Sequence, residues 1–586
     1  MADRKSAFTV HVASVPGGGL WRAGGTAAVD RAPRSTLHPA FARAGARTVP
    51  TGQGCEKPSG GCRHMDVDER ARHHAAPLSK TAAHGATEEP SLLTILALLA
   101  AFAAIWTTYF AIAEAPVAIK HDMAEAYAWG REFQLGYNQH PPFWAWVCGL
   151  WFSVFPRAQW AFALLSSLNA GIGLWGAWAL IGDFAEGRKR VAAWALLLLT
   201  PLYTFYAYKY DANTIFLSIW PWTLHCFMRS LRRGRAGDAV AFGACVGLAM
   251  MSKYYALILV ATCFLAALHH PLHRRYFASA SPYVSAVVAA AVCAPHIAWL
   301  LTHRAPPLRY LVRISGWDGT YVAVHAAKTL AGALGIGLGV VFAVALAAWA
   351  SRRDGLAAFG RTARGPTLRV LATLTLAPLA LTVASALALR TTSTVEMTIG
   401  TYPLLPLLVI EAAGVRDLDR LCRISVWLAG AVTLGALALS PAVALARVYL
   451  SSNAENASPF QEVAVAATRI WHERTSLPLA YVAGSDWYEN ATAFYSPDRP
   501  HVFVHFDYSR NLWVTPEALA KHGLLSVCIS GDTVCLAATA GFATPQTTRT
   551  ELTVAHAFWG QVAKPVRFVL TIIPPRVGGA GPTPGT

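Results

Sequence analysis

Charge is scarce in this chain. Asp, Glu, Lys and Arg make up 14% of its 586 residues, where a soluble domain usually carries about 25%. Hydrophobic residues are 54% and mean hydropathy is +0.38, which excludes an ordinary soluble multidomain protein. The long apolar runs lack the period-two alternation of barrel strands, so helices are the spanning form. No Gly-rich nucleotide loop occurs, and a nucleotide-sugar donor is therefore not expected. The spacing of Asp122, Glu125 and His140 matches no standard zinc signature either. The first 88 residues contain no apolar core of the kind a secretory signal needs. They are rich in Gly, Ala, Arg, Pro and Ser and read as a disordered segment. Met65 opens "MDVDERARHH" and is the expected start, with residues 1–64 upstream of it. No internal repeat is visible.

What charge there is has one dominant sign. Formal net charge is +17 and the pI is near 9.6. The basic residues cluster as "GRKR" (187–190), "RSLRRGR" (229–235), "HHPLHRR" (269–275) and "SRRDGLAAFGRTARG" (351–365). Between apolar runs, such clusters mark cytoplasmic loops. They come without the aromatic platform of a nucleic-acid binder, so no nucleic-acid partner is expected.

Apolar blocks of about 20 residues, enough to cross a bilayer core, fall near 91–113, 159–182, 191–208, 213–229, 238–252, 255–268, 279–301, 329–350, 370–389, 397–414 and 424–449. That makes about eleven transmembrane helices in a domain of residues 89–449. Basic loops after every second span put the N-terminus in the cytoplasm. The pair at 238–268 reads as a tight hairpin with "MSKYY" at its outer tip. "PFWAWVCGLWFSVF" (142–155) is too short to span and reads as an interfacial helix, with Trp144, Trp146 and Trp151 at the outer leaflet. "GALGIGLG" (332–339) has small-residue spacing suited to helix contact.

Beyond residue 450 the pattern changes. "QEVAVAATRIW" (461–471) and "WYENATAFYS" (487–496) read as helices, and "LPLAYVAG" (477–484) and "HVFVHF" (501–506) as strands. Residues 450–575 are expected to form a small extracytoplasmic α/β domain, followed by a flexible tail at 576–586. Of ten cysteines, Cys148, Cys226, Cys245, Cys263 and Cys293 lie in apolar blocks and suit packing. Cys528 and Cys535 would form a disulfide loop outside the cytoplasm, or stand as two buried thiols.

The polar residues that stand out share one membrane face in this topology. They are Asp122, Glu125 and His140 in the first loop, Asp211 and Asn213 in "YKYDANT" (208–214), Lys253 and Tyr254 in "MSKYY", and Arg390. Ordinary surface charges would also collect there, but loops this short are usually less loaded. Asp122 and Glu125 are spaced to share one helix face. One carboxylate could take a proton from an attacking hydroxyl while the other orients it or holds a metal. Lys253 suits a lipid phosphate, or simply snorkels to the interface. His140 suits a carboxylate or phosphate, or merely precedes a helix opened by Pro141 and Pro142. A divalent metal through Asp122, Glu125 and His140 stays open.

"DMAEAYAWGREFQLGYNQHPPFWAW" (122–146) resembles the first extracytoplasmic loop of bacterial family 39 glycosyltransferases. These are relatives of protein O-mannosyltransferases and of the aminoarabinose transferase that modifies lipid A. "KYDANT", "GLAMMSKYYALIL" (247–259) and "FYSPDRPHVF" (494–503) resemble further segments of that family. The resemblance implies a GT-C membrane fold in the bacterial inner membrane and a polyprenyl-phosphate-linked sugar donor. It implies a hydroxyl acceptor on a lipid, glycan or protein. It maps the catalytic acid to Asp122 with Glu125 as partner, and the donor phosphate to Lys253 with Arg390. His140, Asp211, Asn213 and Tyr254 would shape the site. The mannosyltransferases carry the Asp and Glu adjacent, whereas Met123 and Ala124 separate them here. Asp122, a helical turn back, is the expected base, and Glu125 is the other choice. A flippase or transporter for a lipid-linked solute is the alternative reading. The two differ in geometry: an enzyme needs the carboxylates and Lys253 around one outward-facing site, a transporter a polar path through the bundle.

Overall fold

A computed structural model describes residues 89–350, 365–450, 454–558 and 560–576. The expected disordered segment, the basic loop at 351–364 and the tail from 577 lie outside the described residues.

The first span, α1 (Leu92–Ala113), starts where the Ser91 hydroxyl accepts from the Thr94 amide at 3.2 Å, a helix N-cap. The first loop folds into α2 (His121–Gly130) and α3 (Phe143–Val154). Next come α4 (Gln159–Ile181), α5 (Gly187–Leu196), α6 (Phe216–Arg233), α7 (Ala236–Met250), α8 (Ala256–His269) and the short α9 (His273–Ala278). The membrane part closes with α10 (Ser281–Thr302), α11 (Pro306–Arg313), α12 (Gly319–Ala350), α13 (Pro366–Leu389), α14 (Leu405–Ala413) and α15 (Leu418–Tyr449).

Six of these helices, α1, α4, α10, α12, α13 and α15, are long and apolar enough to cross a membrane. A seventh candidate is a pair bent by 60°, a 3₁₀ turn at Val395–Thr401 followed by α14. The protein is a multi-pass membrane protein. Five of the eleven expected spans, the bent pair among them, are not single long apolar helices. The run at 191–208 breaks after α5 into short 3₁₀ turns around Pro201, whose ring removes a helix donor. α6 contains Pro221 and ends on Arg232 and Arg233. α7 and α8 are shorter; they meet at the expected tip, but beyond it α7 packs on α10 and α8 on α13. Composition windows count apolar residues but do not see where a helix turns. α4 is enclosed by α1 and α6, while Leu301, Leu338, Phe342, Trp349 and Trp427 point outward from the other long helices, as a lipid-facing surface requires. Within "GALGIGLG", Gly339 leaves room for the Leu199 carbonyl and Gly332 for Val395, a packing role as expected.

The tryptophans of α3 turn inward instead of lining an interface. Trp144 is fully buried, and the Trp146 and Trp151 indoles donate to the Gln134 and Ala161 carbonyls at 2.8 and 3.0 Å. The first loop supplies one of these two acceptors, while the Trp144 indole N–H has no partner among the described residues. Leu150 and Val154 are the exposed apolar residues of this helix.

The C-terminal part combines α16 (Phe460–Arg474), α17 (Tyr488–Tyr495), α18 (Pro516–His522) and α19 (Thr533–Ala540) with seven strands. They are β1 (Tyr481–Gly484), β2 (His501–Val502), β3 (Leu524–Ile529), β4 (Thr548–Val554), β5 (Ala557–Phe558), β6 (Gln561–Val562) and β7 (Val566–Ile573). Five form one sheet in the order β2-β1-β3-β7-β4, parallel from β2 to β3 and antiparallel beyond it. The expected strand at 501–506 stops at Val502, because His505 and Phe506 take positive φ angles of 54° and 56°. Cys528 and Cys535 are joined by a disulfide that ties β3 to α19, while Cys148, Cys226, Cys245, Cys263 and Cys293 are free thiols.

This α/β part grips α2 along its length. The Tyr495 hydroxyl accepts from the Ile119 amide at 2.8 Å, and the Tyr127 and Phe494 rings meet edge to face at 5.2 Å. Arg131 donates to the Arg499 carbonyl at 2.7 Å, and Glu132 pairs with His501 at 2.7 Å. Glu455 accepts from the His121 amide at 2.8 Å, a carboxylate at the positive end of the helix.

Candidate active site

α2 buries Met123, Ala124, Ala126, Tyr127, Ala128 and Trp129 and leaves Asp122 and Glu125 on its open face. It approaches α3 backbone to backbone: a Cβ on Gly149 would sit 2.2 Å from the Gly130 carbonyl oxygen. That contact fixes the height of both carboxylates.

The segment "KYDANT" supplies the second wall. Lys209 has an extended backbone, so Lys209 and Asp211 project to one side and Tyr210 to the other. Tyr210 is buried and its hydroxyl donates to the Trp144 carbonyl at 3.1 Å. Asp211 is held by its own turn, accepting from the Asn213 and Thr214 amides at 2.7 and 2.8 Å. Its side chain is only 3% exposed, which suits a scaffold carboxylate more than a base. The Lys209 ammonium bridges Asp122, Asp211 at 3.2 Å and Glu396 at 3.8 Å. Neither Lys209 nor Glu396 stands out in the sequence, although Lys209 lies in "YKYDANT".

The hairpin tip supplies the third wall. The Lys253 ammonium donates to the Asn213 side-chain oxygen at 2.5 Å. The Met251 carbonyl accepts from the Phe143 amide at 2.8 Å, which seats the tip on α3. Tyr254 turns away: its hydroxyl meets His296 Nε2 at 2.8 Å, and His296 Nδ1 meets the Leu135 carbonyl at 2.7 Å. The carbonyl can only accept, so Nδ1 donates and Nε2 accepts from Tyr254. Tyr254 thus braces the hairpin against α10 and the first loop. The contacts of Arg390 are elsewhere. It is exposed at the end of α13, its carbonyl accepts from the Trp317 amide at 3.1 Å, and its charge acts on Asp318.

The two carboxyls of α2 are driven apart. Burial alone would raise Asp122, but the paired Lys209 ammonium offsets this and holds it below the usual carboxylate range. Its side chain remains 36% exposed, so it is ionised and reachable. Glu125 is pushed well above that range by burial and by the charges of Asp122 and Asp211. Burial also lowers Lys253, and Asp211 and Asp122 oppose that. His140 packs near the Trp129 and Trp144 rings at 6.4 and 6.0 Å. Burial and then the Lys253 charge push it down to about 3, so its imidazole is neutral.

The histidine beside both carboxylates is His121, not His140. Ligand atoms of His121, Asp122 and Glu125 lie within 4.8 Å of one another, a set compatible with a divalent cation. Asp122 already bears the Lys209 ammonium, and a cation there would displace it.

Residues 139–299 match the model of the family described as dolichyl-phosphate-mannose-protein mannosyltransferase. Two solved structures are similar over most of the chain. Both are ArnT from Cupriavidus metallidurans. The form bound to undecaprenyl phosphate matches with a TM-score of 0.53 and 16% identity, covering 84% of this chain and 100% of that one. The apo form matches with a TM-score of 0.52 and 16% identity, covering 81% and 97%. The chain shares the fold of ArnT. The GT-C type and the family 39 resemblance read in the sequence are borne out. No curated protein sequence matches the chain. The matched segment 139–299 includes His140, Asp211, Asn213, Lys253 and Tyr254 and begins after Asp122 and Glu125.

Proposed function

We propose that this protein is a glycosyltransferase that moves a sugar from a polyprenyl-phosphate-linked donor to a hydroxyl acceptor on the extracytoplasmic face of the bacterial inner membrane. The observation that carries the reading is the convergence of an ionised, reachable Asp122 with Lys209, Asp211 and the Asn213–Lys253 pair at one end of the bundle. ArnT was solved with undecaprenyl phosphate bound, which supports a lipid phosphate as the donor's carrier. The Cys528–Cys535 disulfide supports an oxidising compartment for the C-terminal domain at 450–575. A flippase needs polar residues along the bundle, whereas these gather on the first loop, the 208–214 segment and the hairpin tip.

In this reading Lys253 faces the donor phosphate and neutralises it as it leaves. Asp122 accepts the proton of the acceptor hydroxyl while that oxygen attacks the anomeric carbon. The bond from that carbon to the phosphate oxygen breaks on the opposite side, so the centre inverts in a single displacement. Lys209 keeps Asp122 unprotonated, and Asp211 and Asn213 hold the two lysines in place. The test is sugar transfer by the protein reconstituted in lipid, with undecaprenyl-phosphate-linked sugars and an extracted envelope fraction as acceptor. Wild type should transfer, and Asp122→Asn should lose about 10²–10⁴ of the rate while remaining folded. Translocation of the lipid without transfer would hand the case to the flippase.

A further inference from the structure

The run from β1 into α17, residues 481–494, is buried except at two positions, Asp486 and Trp487. Their side chains open to solvent beside the candidate base. Trp487 is 42% exposed, and its ring lies 5.2 Å from that of His121, tilted by 31°. The His121 Nε2 atom is 4.0 Å from the Asp122 carboxylate. Trp487 also takes a φ of 81°, a conformation that favours glycine. A glycine would adopt it without strain, so the indole stands there against the preference of its own backbone, as strained residues at functional sites do. The fold holds it by the Tyr488 amide bond to the Ser485 carbonyl at 3.1 Å and the Ala491 amide bond to the Trp487 carbonyl at 3.0 Å. Asp486 is steered by His505 at 3.4 Å. Two residues on, Glu489 is 1% exposed on a helix packed against α2, and its Oε2 has no partner among the described residues. Its proton affinity is raised by burial, then by Asp486, with a contribution from Glu125.

We propose that Asp486 and Trp487, backed by Glu489, form a sugar-binding wall that the C-terminal domain contributes to the site opposite Asp122. The indole offers a flat apolar surface to the C–H face of a sugar ring, and the carboxylate accepts from its hydroxyls. The sugar is either the one carried by the donor or one on a glycan acceptor. This rests on the glycosyltransferase reading for its partner, and the experiment separates the two.

The full chain in lipid is subjected to hydroxyl-radical footprinting, with oxidation of Trp487 read by mass spectrometry. The probes are undecaprenyl phosphate alone, undecaprenyl-phosphate-linked hexose or pentose, and an envelope glycan. Protection by the sugar-bearing lipid but not the bare one assigns the donor sugar; protection by the glycan alone assigns the acceptor. Protection by neither, or equal protection by bare lipid phosphate, overturns the wall. In the transfer assay Trp487→Ala should raise KM for the protecting partner about tenfold with a smaller change in kcat, and Trp487→Phe should recover most of it. If Trp487→Ala does not fold, Trp487→Leu and Asp486→Asn carry the same comparison. Transfer with unchanged KM and no footprint overturns the wall and leaves the transferase. A sugar-dependent footprint without any transfer leaves the wall and overturns the transferase.

Discussion

Asp122 and Glu125 sit one helical turn apart, and their surroundings assign their protons differently. Burial and the charges of Asp122 and Asp211 favour the protonated form of Glu125, and Glu125→Gln reproduces the shape and charge of that form. That variant should keep transfer within about threefold of wild type, since uncharged replacement removes no base, and loss comparable to Asp122→Asn would move the base to Glu125. Lys209 favours the ionised form of Asp122. Lys209→Met should therefore shift the acid limb of the kcat–pH profile upward, because Asp122 would then give up its proton at higher pH. An unmoved acid limb would show that Lys209 does not set the base. Lys209 carried a readable signal: in an extended segment, residues two apart share a side, so "KYD" pairs Lys209 with Asp211. Glu396 carries none, since it reaches Lys209 from a segment 187 residues further along the chain.

The helical elements place these groups by close contact. Gly130 and Gly149 let α2 and α3 touch through their backbones. Gly149→Ala should destabilise the protein by about 1–3 kcal/mol and lower transfer by tilting α2, read as a fall in Tm together with kcat. An unchanged Tm would mean that α2 can shift at little cost. Hydrophobic blocks located the long spans, because a bilayer core demands about 20 apolar residues. They mis-stated the spans that break, because Pro201 and the bend near residue 402 do not lower apolar content. Likewise the Trp-rich α3 fits an interface by composition, but Trp144 packs in the core and the Trp146 and Trp151 indoles find carbonyl acceptors within the protein.

Across the whole molecule, the α/β part locks onto the loop that carries the site. His556, in the approach to β5, has Nδ1 2.6 Å from Glu462 and Nε2 2.7 Å from the Pro116 carbonyl. Both partners can only accept when Glu462 is ionised, so the charged imidazolium satisfies both. The bond to Glu462, against the opposing effect of burial, raises His556 above its ordinary value. A raised histidine contributes stability that is fully present below its unfolded pKa, near 6.5, and lost as pH rises through the folded one. His556→Ala should cost about 1–2 kcal/mol at pH 6 and flatten the dependence of Tm on pH between 6 and 9. A slope equal to that of wild type would place the titrating latch elsewhere.

The membrane class, the long spans, the α/β character beyond residue 450, and the segments that matter chemically all follow from patterns in the chain. Apolar length, helical spacing of Asp122 and Glu125, and the motifs "KYDANT" and "MSKYY" are local properties, and solvent or lipid acts on them locally. Folding alone assigned the roles. Lys209 became the partner of Asp122, His121 replaced His140 beside the carboxylates, and Arg390 was left facing Trp317 and Asp318. Trp487 reached His121 from a domain more than 350 residues away. These depend on distances between segments far apart in sequence, and electrostatic and packing energies are set by those distances.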